Sequence, residues 1–362
     1  MIRVKVIGAG SIGNHLSHAA RRKGWSVAIC DIDPAALERT RTQIYPSRYG
    51  AWDESIALYS SDEAPRGGFD YIFVGTPPDS HMALALAALD EKPRAILIEK
   101  PLAGADLAGC QELYEKSRGS GTRLFVGYDH VVAKSLTYLA SEAANGIGPV
   151  ETIDVFFREH WQGIFNAHPW LSGPADTYLG YWQRGGGALG EHSHAVNMWQ
   201  HLAHAVGAGR VTKVTSALDY IKHGKAEYDR IAHLTFETEM GLVGHVIQDV
   251  VTRPPLKWAR VQGTDKAIEW QCRPQPYSDI VRVLTATSAE ETVYHKTRAD
   301  DFIQELDHID GVLVSGASSP IAIERGLETM LVIAAGHKSA REGRRVIIDY
   351  NSKLTLDALS CA

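Results

Sequence analysis

The chain has 362 residues, 44% hydrophobic and 22% charged, with a formal net charge of -6. That length suggests two domains with separate cores, while the acidic balance and the absence of a basic run argue against nucleic-acid affinity and no apolar run is long enough to span a bilayer. Cys30, Cys110, Cys272 and Cys361 are scattered without CxxC spacing, and the first residues enter a strand with no room for a signal peptide, so the expectation is a cytoplasmic protein with reduced thiols.

The first element is a strand over 4–7 that ends in Gly8-x-Gly10-x-x-Gly13, followed by a helix over 15–23. Glycines alone also mark ordinary turns. Here the strand before and the helix after supply the context of a dinucleotide loop. Gly8 permits the sharp turn, Gly10 the approach of a pyrophosphate, and Gly13 close packing of helix on strand, and the free N–H groups at Ser11 and Ile12 face the anion. The next strand, 26–30, ends in Asp31, about 20 residues on, where a carboxylate binds a ribose 2′-hydroxyl. Such a carboxylate repels a 2′-phosphate, so NAD is favoured over NADP, with Arg39 and Arg41 as the counter-signal. Asp33 fits an N-cap and Pro34 the first turn of the following helix.

Residues 69–74 form a continuous apolar run, as expected of a buried parallel strand. Gly75-Thr76-Pro77-Pro78-Asp79-Ser80-His81 ends it, Asp79 or Ser80 can cap, and a helix runs over 81–89. A strand over 94–98 leads into Glu99-Lys100-Pro101, then a helix over 107–117 and a strand over 123–126. Strands alternating with helices give a doubly wound parallel sheet, whose ligands sit beyond the carboxyl ends of the strands. The Gly8 loop, Asp31, Thr76 and Lys100 all lie at such ends.

After Gly127 the character changes. A helix over 134–145, a break at Gly146-Ile147-Gly148-Pro149 and a strand over 150–157 precede an aromatic, glycine- and proline-containing connection over 161–187. A helix over 189–206 follows, then strands over 211–219, 231–237, 242–251, 258–263, 266–271 and 291–295, helices over 300–315 and 322–340, and a last strand over 344–349. Consecutive strands with short turns imply an open, mostly antiparallel sheet, so the fold class is α/β with an N-terminal doubly wound sheet (1–126) and a C-terminal α+β domain (127–362). The helix over 322–340 has the option of packing back on the first domain. Long ordered connections often line sites. Arg158, His160, Trp161, His168, Trp170, Tyr178 and Trp182 are therefore candidate sugar contacts, through aromatic faces and polar tips, or else a loop that packs its own aromatics. Tyr128, after the last strand of the first domain, is a further candidate.

Together the Gly8 loop, Thr76-Pro77, Glu99-Lys100-Pro101, Gly185-Gly186-Gly187 and the closing Ser339-Ala340-Arg341-Glu342-Gly343-Arg344 resemble the glucose–fructose oxidoreductase, inositol dehydrogenase and rhizopine-catabolism family (GFO/IDH/MocA), over nearly the whole chain. The resemblance implies a Rossmann domain followed by a substrate-binding and oligomerisation domain. It also implies oxidation or reduction of a sugar, sugar derivative or inositol with a nicotinamide cofactor. Thr76, Pro77, His81, Glu99 and Lys100 join the cofactor candidates, and the Lys100–Pro101 peptide is expected to be cis.

The resemblance further implies Lys100 as the group that supports charge on the substrate oxygen, and His194 as proton acceptor, with an unperturbed pKa near 6.5. Family members carry an acid four residues before that histidine; here Glu191 is three before it, which implies a one-residue deletion. Residues three apart on a helix share a face, so Glu191 would orient the substrate or the imidazole, with His192 the competing proton acceptor. Asp129-His130 departs from the family pattern and takes no role. His192, His194, His201 and His204 do not fall on one helical face and no cysteine is near, so no metal is expected.

Two other functions share these residues: a redox-assisted lyase or glycosidase that recycles NAD, and a non-catalytic regulator that binds NAD or sugar. Helices leave one face of the second sheet uncovered, which implies a homodimer or homotetramer.

Overall fold

The computed structural model of the chain describes residues 1–274 and 276–362. They form two compact units: Met1–Leu102, Gly109–Asp129 and Arg298–Glu324 in the first, Ala103–Ala108, His130–Thr297 and Arg325–Ala362 in the second.

In the first unit, β1 (Arg3–Ile7) leads into α1 (Ser11–Arg22), and β2 (Ser26–Asp31) into α2 (Pro34–Arg39) and α3 (Tyr45–Tyr49). Then come β3 (Ile56–Ser60), β4 (Tyr71–Val74), α4 (Pro78–Asp90), β5 (Ala95–Ile98), α5 (Cys110–Arg118) and β6 (Arg123–Val126). All six strands are parallel, in the order β3-β2-β1-β4-β5-β6. Chain direction across the sheet reverses between β1 and β4, which opens a crevice at their carboxyl ends.

The apolar run of β4 and β5 follows from burial on both faces: every residue of either strand is buried. β1 tolerates Lys5 in that setting because its Nζ reaches Glu91 at 2.7 Å. β3, a half-exposed edge strand, escaped the sequence reading although Ile56-Ala57-Leu58-Tyr59 is a short apolar run. The helix that joins this unit from the distal part of the chain is Arg298–Ser315, which lies against α1 with Phe302, Leu306 and Ile309 buried.

The second unit holds α6 (Lys134–Asn145), β7 (Val150–Arg158), α7 (Gln162–Asn166), α8 (Gly187–Glu191), α9 (His194–Ala205), β8 (Val211–His223), β9 (Ala226–Thr238) and β10 (Val243–Asp249). It continues with β11 (Leu256–Gly263), β12 (Ala267–Pro274), β13 (Tyr277–Leu284) and β14 (Ala289–His295). After α10, the Arg298–Ser315 helix of the first unit, come α11 (Ile323–Glu342), β15 (Val346–Ile348) and β16 (Leu359–Cys361).

Its ten strands run β14-β13-β12-β11-β7-β10-β9-β8-β15-β16. Every neighbouring pair is antiparallel except β7 with β10. α6 lies on β12 and β13, and α9 on β7 and β10. α11 is tied to β8 by Ser216, whose N–H donates to Ser339 Oγ at 3.0 Å. Alternation sets the two faces: on β9, Ala232, Leu234 and Phe236 are buried while His233 and Thr235 are exposed. Among the described residues, no helix is long and apolar enough to cross a membrane, and all four cysteines are free thiols.

Candidate active site

In the first unit the glycine loop is built by sterics. Gly8 has φ +106°, and a Cβ there would lie 2.8 Å from the Gly75 carbonyl oxygen; a Cβ on Gly13 would lie 1.9 Å from that of Gly8. Both positions exclude a side chain by packing. Gly10 differs, since a Cβ would meet nothing within 4 Å. Its bareness keeps the space above the loop open. No side chain caps α1 at Gly10 and its first turn has no acid, so the first N–H groups of the helix are left to other acceptors. Arg48, which sequence reasoning passed over, holds this turn: Nη1 donates to Ser11 O at 2.9 Å and Nη2 to Ser11 Oγ at 2.8 Å.

Asp31 stands at the end of β2. Its Oδ2 accepts from Ala9 N–H at 2.7 Å and its Oδ1 from Asp33 N–H at 2.8 Å. The carboxylate is therefore fixed beside the loop. The two arginines that stood against NAD are committed to acids, Arg39 to Asp33 at 3.1 Å and Arg41 to Glu54 at 3.7 Å.

After β4, Thr76 Oγ1 lies 2.6 Å from Ser80 Oγ, whose hydroxyl donates to Pro77 O at 2.8 Å. His81 is fully buried, with Nδ1 3.1 Å from Pro101 O and Nε2 2.7 Å from Thr76 O. It joins the loops after β4 and β5. Burial lowers its pKa, and those carbonyls partly offset the shift.

Glu99 is buried beneath the next loop, and its Oε2 accepts from Lys100 N–H at 3.3 Å. Burial raises its carboxyl to about 7; the Lys100 ammonium opposes the rise and Asp129 adds to it. A Cβ on Gly127 would come within 2.9 Å of the Glu99 carboxyl carbon, so the acid occupies the space a side chain would fill. Lys100–Pro101 is cis and Lys100 is half-buried. Tyr128 is fully buried at the end of the β6 loop.

In the second unit, the Gly185-Gly186-Gly187 run is explained by the carboxylate of Asp229 and by neighbouring carbonyls. Gly187 has φ +75°, and a Cβ there would lie 1.9 Å from Asp229 Oδ1; one on Gly186 would lie 2.2 Å from Tyr178 O. Fully buried Asp229 accepts from Leu189 N–H at 2.8 Å and so fixes α8. Burial raises its carboxyl to about 8, against the pull of backbone N–H groups led by that of Leu189.

The expected helix over 189–206 is broken. Glu191 closes α8, His192 and Ser193 form the joint, and His194 opens α9. Three-residue spacing therefore does not place Glu191 and His194 on one helical face. Glu191 Oε2 accepts from Tyr178 OH at 3.3 Å. His192 is buried, with Nε2 3.4 Å from the Glu159 carbonyl.

His194 is half-exposed. His130 lies edge-on to it at 4.8 Å, and Phe157 lies beside it at 6.4 Å and 22°. His130 carried no sequence signal, because its position beside His194 comes from tertiary packing. Glu159 is partly buried. Burial pushes its pKa up, yet Lys257 at 2.7 Å, with His192 and His130, leaves it lowered overall.

The remaining candidates are dispersed. Trp161 packs with Leu179, Ala188 and Val250, and Tyr178 packs against that cluster. Trp182 lies on His337 at 4.7 Å, and Trp170 is exposed, edge-on to His168 at 5.2 Å. Arg158 donates to buried Asp249 at 2.6 Å, and His160 Nδ1 accepts from Gln162 N–H at 2.9 Å.

Residues 2–128 match the model of an oxidoreductase family with an NAD-binding Rossmann fold, GFO/IDH/MocA. None of the curated proteins matches the sequence. Among solved structures, the chain is similar to a levoglucosan dehydrogenase in complex with NADH and L-sorbose, at 17% identity over 96% of this chain and 98% of that one, with a TM-score of 0.76. It is also similar to a putative myo-inositol dehydrogenase from Sinorhizobium meliloti 1021, at 20% identity over 96% and 99% of the two chains, TM-score 0.72. A third is the WlbA dehydrogenase from Bordetella pertussis in complex with NADH and UDP-GlcNAcA, at 20% identity over 96% and 98%, TM-score 0.71. These likenesses establish the shared fold.

Proposed function

We propose, from the premise that residues 2–128 are an NAD-binding Rossmann domain of the GFO/IDH/MocA oxidoreductase family, that the chain is an NAD-dependent dehydrogenase or reductase. Its substrate is a ring hydroxyl, or the matching ketone, of a sugar, sugar derivative or inositol. The observation that carries this reading is the Glu99-Lys100-Pro101 loop at the carboxyl end of β5, in the same sheet and at the same edge as the Gly8 loop and Asp31. Structural neighbours named for levoglucosan and myo-inositol dehydrogenases support the substrate class.

The residues fit the cofactor: a bare Gly10, an uncapped α1, and an Asp31 carboxylate for the ribose. The nicotinamide, when bound, takes or gives the hydride. Lys100 donates a hydrogen bond to the substrate oxygen and stabilises its developing negative charge. His194 takes the hydroxyl proton, the role its half-exposed ring suits better than buried His192, whose Nε2 faces a backbone carbonyl. Glu191, held by Tyr178, orients the substrate.

The chain works as a homodimer or homotetramer joined through the open sheet face, in the reducing cytoplasm, where four free thiols are at home. The test is Lys100→Ala. NADH binding, read by fluorescence, stays within a few-fold while turnover falls about 10²–10⁴-fold; retained turnover removes the lysine from the mechanism. Cleaved product without net NADH would move the reaction to the redox-assisted lyase class.

A further inference from the structure

Arg48 has no part in the chemistry above, yet it is held against the glycine loop. α3 presents Tyr45, Arg48 and Tyr49 at helical spacing, and α1 meets them with Ser11, His15 and His18. The aromatic members already join the two helices. Tyr49 OH lies 2.5 Å from His15 Nδ1, the Tyr49 ring stacks on His18 at 3.6 Å, and Tyr45 OH lies 3.2 Å from His18 Nδ1. Arg48 is a further contact, and both its Nη groups go to one residue: Nη1 donates to Ser11 O at 2.9 Å and Nη2 to Ser11 Oγ at 2.8 Å. Half-buried Arg48 has no carboxylate partner among the described residues. By contrast, Arg21 of α1 holds Asp53 at 2.7 Å, and Arg298 of α10 holds Asp129 and Asp301. A cation partly withdrawn from water without an anion is costly.

Ser11 is the first residue of α1, directly after bare Gly10. A hydroxyl has one hydrogen and two lone pairs. Arg48 takes a lone pair, and the hydrogen goes to no acceptor among the described residues. Two carbonyls of the same turn are engaged by Asn14, whose Nδ2 donates to Ala9 O at 3.2 Å and to Gly10 O at 2.8 Å. The start of α1 therefore combines uncapped N–H groups, a hydroxyl hydrogen and a guanidinium, with no acid in its first turn.

We propose that Arg48 is a positioning residue for the pyrophosphate of the dinucleotide, acting through Ser11. It holds the hydroxyl as a donor to a phosphate oxygen, and it adds a positive charge that the bound anion, rather than a carboxylate of the chain, neutralises. The proposal rests on the NAD-binding domain and not on the reaction proposed above.

The test reads binding alone. ADP-ribose carries the pyrophosphate without the nicotinamide and without a 2′-phosphate. Its affinity is measured by calorimetry for the full chain as wild type, Arg48→Met, Arg48→Lys, Ser11→Ala and the Arg48→Met, Ser11→Ala double variant. Each is titrated at about 0.05 M and about 0.5 M KCl, a range over which screening grows several-fold. Urea midpoints of the unliganded proteins check the fold.

Arg48→Met is expected to bind about tenfold more weakly at low salt and to lose much of the salt dependence. Arg48→Lys keeps the charge and loses only the fork, so it retains that dependence. The double variant binds little more weakly than Arg48→Met alone, because the arginine acts through the hydroxyl. Wild-type affinity in Arg48→Met overturns the proposal. So does a weakened Arg48→Met with undiminished salt dependence, which would make Arg48 a plain staple between α3 and α1. If Arg48→Met does not fold, Ser11→Ala decides, and wild-type affinity there overturns the proposal. Wild type that binds neither ADP-ribose nor NADH overturns it as well. Failure of the dehydrogenase chemistry alone would leave all these affinities unchanged.

Discussion

Asp31 accepts backbone N–H groups from both sides, Ala9 and Asp33, so its carboxylate is rigid before any ribose arrives. Loss of a charged acceptor in such a place costs about 1.5–3 kcal/mol. Asp31→Ala is therefore expected to weaken NADH binding about 10- to 100-fold, and to weaken NADPH binding less, because a repulsive charge leaves with it. Fluorescence titration with both cofactors checks this; equal losses would contradict the ribose assignment. At this scale, sequence marked the residues whose placement depends on near neighbours: Gly8 and Gly13 at a turn, Asp31 at a strand end, Lys100 before a cis proline. Arg48 and His130 were illegible because each meets its neighbour from a segment far away in the chain, Ser11 and His194 respectively.

Among the elements, α8 shows most clearly how a short helix is fixed from outside. Five residues cannot sustain a helix by hydrogen bonding alone; here a buried carboxyl accepts the Leu189 N–H while glycines admit it. Gly187→Ala puts a methyl into Asp229 at a positive φ, so a loss of at least about 2 kcal/mol in stability is expected from urea unfolding.

Asp229→Asn separates charge from shape. The folded carboxyl titrates at about 8, the unfolded one near the ordinary value of about 4. Between those values the native state binds the extra proton, so its contribution to stability falls as pH rises through that window. Asparagine, which mimics the protonated acid, removes that slope of about 1.4 kcal/mol per pH unit. Urea midpoints at several pH values read it, and an unchanged slope contradicts the burial argument.

The sequence pattern showed the triple glycine but not its partner Asp229. It joined α8 and α9 into one helix because no proline or glycine marks the His192-Ser193 joint. β13 was missed although Ile280 and Val281 are buried in it, since the strand mixes charged and apolar residues without strict alternation.

For the whole molecule, alternation along the strands made the open second sheet readable from sequence. The parallel β7–β10 pair was not, because a pairing between strands so far apart in the chain leaves no local mark. The face opposite the helices carries Phe156 and Trp258, rings 5.0 Å apart, together with Ile231 and Ile247, all half-buried. Apolar groups clustered on an open sheet point to self-association. Light scattering after gel filtration is expected to give a dimer or tetramer, with Trp258→Glu shifting it toward monomer; a monomeric wild type contradicts this.

The placement of α10 with the first unit also has a consequence. NADH binds the native state alone and should raise the unfolding midpoint with ligand concentration, and the gain should extend to α10, read by hydrogen exchange.

The most direct measurement follows the hydride itself. Polyols, aldoses and inositols deuterated at the ring carbinols are incubated with the protein and NAD, and the NADH formed is weighed by mass spectrometry. The dehydrogenase reading predicts deuterium in NADH from at least one of these substrates, and none when Lys100→Ala replaces wild type. No deuterium from any substrate, or equal transfer by the lysine variant, would contradict it.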